Sequence, residues 1–120
     1  MFVAVPMASA ITLHPIGYQT YPAVSQLNMH TGPSQNDTVT GTAGSNQDLC
    51  AAYWATGETI YFVGNGQLQA DNTWYDLYSM TWEDTVQGSP EGWSNALYVN
   101  YPQPIQSYYY ECISSYASYQ

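Results

Sequence analysis

The sequence predicts an all-β fold: a small barrel over residues 27–101, preceded by an apolar N-terminal strand and connector over 1–26 and followed by a tyrosine-rich C-terminal extension over 102–120. Three observations carry this reading. Short runs of alternating apolar and polar residues, or of β-branched and aromatic residues, are bounded by Gly, Pro and Asn. No segment combines the period and length of an amphipathic helix. Glu91 to Val99, EGWSNALYV, reads as a strand, one helical turn and a second short strand. Gly92 before Trp93 lets two backbones approach closely, and Ser94 to Leu97 is too short for a stable helix. Such a stretch closes a small barrel.

At 120 residues the chain has room for one domain around one core. It contains no Lys or Arg against nine Asp and Glu, for a formal net charge of -9. Contacts to phosphate need basic side chains, so this balance argues against nucleic acid as a partner and against attraction to anionic lipid. Charged residues are only 8% of the chain, so solubility rests on neutral polar groups, a surface suited to packing against other copies.

Met1 to Leu13, MFVAVPMASAITL, is apolar but broken by Pro6 and too short to span a bilayer. It reads either as the tail of a signal segment or as a mature apolar strand, and the strand is favoured. Pro15 to Gln26, with Gly17 and Pro22, marks a connector. Leu27 to His30 alternates as a half-buried strand does, and Thr31 to Ser34 ends it with turn residues. Gln35 to Asp48 reads as a long polar loop. Leu49 to Trp54 is apolar, Ala55 to Glu58 punctuates it, and Thr59 to Val63 is a strand followed by a Gly64-Asn65-Gly66 hairpin turn. Trp74 to Tyr78 and Met80 to Trp82 continue the sheet, and Glu83 to Pro90 turns into the closing stretch.

Cys50 and Cys112 are too far apart for a Cys-x-x-Cys redox or zinc motif, and a structural disulfide between them is expected. Closing a loop of about 60 residues contributes roughly 4 kcal/mol in the chain-entropy account. It implies an oxidising, extracellular or cell-surface location. Asn36-Asp37-Thr38 is a glycosylation sequon consistent with that location.

Four blocks together, LNMHTGPS at Leu27 to Ser34, ATGETIYFVG at Ala55 to Gly64, TWYDLY at Thr73 to Tyr78 and EGWSNALYV at Glu91 to Val99, resemble a bacterial Src-homology-three-like domain in content and order. The resemblance implies a small, strongly bent β-barrel found in exported proteins, often as a non-catalytic module that attaches to cell-wall peptide or glycan. His30 stands where the family commonly carries a basic residue, and the loop after Ser34 is longer than usual. The two ends of the chain lie outside the resemblance.

Catalytic chemistry finds little support. His14 and His30 lie in no motif with a nucleophile and read as polar surface or strand residues. Glu83-Asp84 lacks the ligand count that calcium takes. No catalytic residue, metal site or cofactor is expected. Trp54, Trp74 and Trp82 are candidate glycan contacts if their rings are exposed, against the alternative of core packing. The tyrosines at 108–110, 116 and 119 favour protein contact.

Two functions from different classes follow. The first is a non-enzymatic extracellular structural subunit of a surface fibre or layer, assembling with other copies by strand exchange. Val3, Val5, Ile11, Leu13, Tyr108 and Tyr110 would supply its contacts. The alternative is a module that binds cell-wall peptide or glycan. An open aromatic groove on the barrel favours the second.

Overall fold

A computed structural model describes residues 11–79 and 91–104. Six strands form one antiparallel sheet: β1 (His14–Thr20), β2 (Gln26–His30), β3 (Val39–Gly44), β4 (Leu49–Gly64), β5 (Gln67–Ser79) and β6 (Glu91–Asn95). Their order across the sheet is β1-β4-β5-β6-β2-β3, and the sheet curls into a half-barrel. A 3-10 turn, Ala96–Tyr98, follows β6. No α-helix occurs among the described residues.

The closing stretch folds as its residues dictate. β6 pairs with β5 along its length and touches β2 at His30 opposite Trp93. Gly92 makes that crossing possible: a Cβ there would lie 2.8 Å from the His30 carbonyl oxygen and 2.9 Å from Met29 Cβ, and would collide with Thr40 Oγ1. Its φ of 155° is also one that side chains rarely adopt. Asn95 then starts the 3-10 turn by accepting from the Leu97 N–H at 2.9 Å, while its Nδ2 donates to the Asp71 carbonyl at 2.9 Å. Val99 ends the turn in a bridge to Pro22.

Three segments differ from the sequence reading. Ala55 to Glu58 does not end a strand, because β4 runs unbroken through it and a register shift between Thr56 and Ile60 absorbs the extra residues as a bulge. At Gly57 a Cβ would collide with Pro33, and the adjacent Glu58 carbonyl accepts the Trp74 ring N–H at 2.8 Å, so the bulge is a packing device. The expected polar loop contains β3, whose two glycines carry little strand propensity. Its pairing with β2, Leu27 to Ala43 and Met29 to Gly41, overrides that weakness. The expected connector contains β1, which extends the same sheet on the outer side of β4. An edge strand tolerates Pro15, and Gly17 at φ 74° takes up the irregularity between Pro15 and Tyr18.

Two clusters of the core lie among the described residues. Leu27, Met29, Leu49, Ala51, Leu77 and Val99 pack together in one, and Ala55, Ile60, Trp74 and Trp93 form the other. Trp74 is 1% exposed and takes the core-packing alternative: its indole packs in the second cluster and its ring N–H donates to the Glu58 carbonyl. The β4–β5 hairpin continues past this core and ends at Asn65 and Gly66, both at positive φ (52° and 74°), as a two-residue turn requires.

Candidate functional site

One lateral row crosses four strands. His14 on β1 pairs with Trp54 on β4, Trp54 with Tyr75 on β5, and Tyr75 with Ser94 on β6. Direct cross-strand partners share a face of the sheet, so the row sets two rings beside each other and lays the His14 imidazole on the indole. The His14 and Trp54 rings stack with centroids 4.0 Å apart and planes 16° from parallel.

Beside this row lies a groove of about 530 Å³ lined by Pro15, Ile16, Tyr18, Trp54, Thr73, Tyr75, Tyr101 and Pro102. Its far wall is a strap, residues 99–103, fastened to the start of the chain. The Asn100 N–H donates to the Tyr21 carbonyl at 3.0 Å, Thr20 Oγ1 donates to the Asn100 carbonyl, and Gln19 and Gln103 exchange two backbone hydrogen bonds of 2.8 Å. These bonds hold Pro102 buried and leave Tyr101 79% exposed at the rim. A smaller cavity of about 270 Å³ shares Thr73, Tyr75 and Tyr101 with the groove and adds Asp71, Ala96 and Val99.

The groove is aromatic, and the adjoining smaller cavity carries the Asp71 carboxylate. Burial pushes the Tyr75 hydroxyl above the usual tyrosine range, with the negative potentials of Tyr101 and Asp71 adding to it. Tyr75 therefore stays a neutral hydrogen-bond donor at physiological pH. Asp71 Oδ1 accepts from the Thr73 N–H at 2.8 Å, and no Lys or Arg exists in the chain to neutralise it. The arrangement can stack flat apolar faces and offer hydroxyl groups at their edges.

A separate cavity of about 430 Å³ lies between β2, the 31–38 loop and the 3-10 turn, with His30, Gln35, Trp74, Asn95 and Tyr98 in its lining. The His30 ring is buried, with Nδ1 2.9 Å from the Asp37 carbonyl and its plane edge-on to Trp74 at 6.1 Å. Glu58 fastens the loop: its Oε1 accepts from Ser34 Oγ at 3.0 Å and from the Gln35 N–H at 2.9 Å. This wall is structural.

Of the residues singled out from the sequence, Trp54 lines the groove, half-buried. Ile11 and Leu13 are 45% and 48% exposed, and Asn36 is exposed on the loop after β2. Cys50 is fully buried on β4 and is not a free thiol. Val3, Val5, Trp82, Glu83, Asp84, Tyr108, Tyr110 and Cys112 lie outside the described residues. Sequence reasoning missed Tyr18, Tyr75, Tyr101 and Asp71 as a group, since only the fold brings β1, β5 and the strap together. No group of three or more metal-ligating side chains occurs among the described residues, and none of their helices is long and apolar enough to cross a membrane. Compared with protein-family models, curated proteins and solved structures, the chain matches none of them.

Proposed function

We infer that this chain is a non-enzymatic extracellular binding module that holds cell-wall glycan or peptide in the groove between β1, β5 and the strap. The observation that carries the reading is the open aromatic lining: Trp54, Tyr75, Tyr18 and Tyr101 converge on one cleft of about 530 Å³. Saturated sugar rings and proline-like side chains present flat C–H faces that stack on such rings, while the tyrosine hydroxyls meet their polar edges. The Src-homology-three-like reading of the barrel fits the succession of β2, the pinned loop, β3, β4, β5, β6 and the 3-10 turn. An extracellular setting fits the proposed disulfide and a surface without basic residues. Titration of the labelled full chain with N-acetylglucosamine oligomers and with muramyl peptides, followed by amide shifts, tests the reading. Shifts confined to the groove and lost in Trp54→Ala support it. No shift with either ligand class, or shifts indifferent to Trp54→Ala, would refute it.

Self-assembly is favoured by a different observation. Beyond the bulge, the β4–β5 hairpin leaves Tyr61, Val63 and Leu68 each 67% exposed, an apolar face without a covering element among the described residues. Copies of an acidic chain can meet through such a neutral face. Of the expected strand-donating segment only Ile11 to Leu13 lie among the described residues, whereas the hairpin face is described in full.

A further inference from the structure

Asp71 lines the smaller cavity that adjoins the groove, which Tyr75 and Tyr101 also line. Among the described residues its carboxylate accepts from the Thr73 N–H, and the chain contains no Lys or Arg that could approach it. A carboxylate without a cationic partner in its own chain relies on water for much of its solvation. A ligand lying along the groove displaces part of that water, and a carboxylate stripped of solvent without a compensating donor opposes binding. A neutral ligand can offset this only by hydrogen bonds. A ligand with an ammonium group offsets it with charge, and two tyrosine rings beside the same cavity attract the cation through their π faces. The net charge of -9 adds a long-range field that draws cations toward the surface.

We propose that the groove, with the smaller cavity adjoining it, selects ligands bearing an ammonium group, which is seated in that cavity between the Asp71 carboxylate and the rings of Tyr75 and Tyr101. This rests on the groove being a ligand site, and it names the chemical class: an amino sugar or an amine-bearing wall peptide in preference to its acylated form. Tyr75, kept protonated by its surroundings, remains neutral and donates to the ligand beside the cation.

Hexamers of glucosamine and of N-acetylglucosamine separate the two ideas, because they share ring faces and differ in charge. They are titrated into the full chain by calorimetry at mildly acidic pH, where the amine is protonated. The glucosamine hexamer is expected to bind on the order of tenfold more tightly. Asp71→Asn, whose side-chain oxygen can still accept from Thr73, should erase that preference. Asp48→Asn, an equal change of net charge on the β3–β4 connection, should preserve it. Equal affinities, a preference for the acetylated hexamer, or equal losses in the two variants would overturn the ammonium site while leaving a Trp54-dependent groove intact. Binding of neither hexamer would remove the groove as a glycan site and this proposal with it.

Discussion

His14 and Trp54 stack face to face at 4.0 Å, and this contact ties the edge strand β1 to the long strand β4 at the mouth of the groove. One face of the indole is covered by imidazole, so Trp54 is held as a fixed wall. Replacing His14 with Ala is expected to cost about 0.5–1.5 kcal/mol, the range for aromatic pairs. It should also red-shift and broaden tryptophan emission. A His14→Ala chain with an unchanged urea midpoint and emission maximum would show that the stack contributes nothing to order.

The crossing of β6 over β2 leaves no room for a side chain at Gly92. Gly92→Ala brings a Cβ against the His30 carbonyl and forces a φ of 155° on an L residue. Strain of about 1–3 kcal/mol follows from the backbone conformation alone. Trp93, 8% exposed, should cost about 3–5 kcal/mol as Trp93→Ala. Denaturant midpoints measure both, and a Gly92→Ala chain as stable as the parent would contradict the close approach.

Gly92, Trp93 and the 3-10 turn were legible in the sequence because each depends on neighbours within a few residues: a tight approach, a buried ring, a capped turn. β3 was not legible, since VTGTAG forms a strand only because β2 lies beside it. β1 was obscured by Pro15 and Gly17, which read locally as a connector and are tolerated here because β1 is an edge strand with an irregular register. For the same reason Trp54 could be named as a ring contact while Tyr18, Tyr75 and Tyr101 could not. Their convergence is a property of the strap bonds from 99–103 to 19–22, which join residues about eighty positions apart.

Alkaline stability should report Tyr75. Its folded-state pKa lies above its unfolded value, so the folded chain holds this proton more tightly than the unfolded chain. The stabilisation is fully present below about pH 10 and is lost as pH rises through the folded value. The parent should therefore lose stability more steeply than Tyr75→Phe as pH climbs above that point, because only the parent must bury a tyrosinate. Parallel curves from neutral to strongly alkaline pH would mean that Tyr75 ionises alike in both states.

Cys50 lies fully buried on β4, opposite Gln19 and Tyr78. We expect it to be joined to Cys112, fastening the C-terminal extension to the sheet and contributing roughly 4 kcal/mol. Burial alone would shield a thiol from reagent, so alkylation must be done in denaturant without reductant. An intact mass showing two alkylated thiols in natively isolated protein would sink the pairing.

The outer half of the β4–β5 hairpin should govern association between copies. Tyr61 pairs with Ala70 and Val63 with Leu68, and since opposed residues share a face, these four form one apolar surface. No charged residue occurs from Thr59 to Ala70, whereas Glu58 and Asp71 stand just inside the hairpin's base. Two acidic chains repel wherever their carboxylates approach, so the neutral hairpin is where apolar burial can outweigh repulsion. Salt should strengthen the contact, because screening beyond about 8 Å at physiological ionic strength removes the repulsion and spares the apolar gain. Val63→Glu and Leu68→Glu place charge on an exposed surface away from the core, so the thermal midpoint of the isolated chain should move little. Sedimentation velocity across protein and salt concentrations should show the parent associating and both variants monomeric. Association that survives both substitutions, or that weakens as salt is raised, would move the contact elsewhere on the molecule.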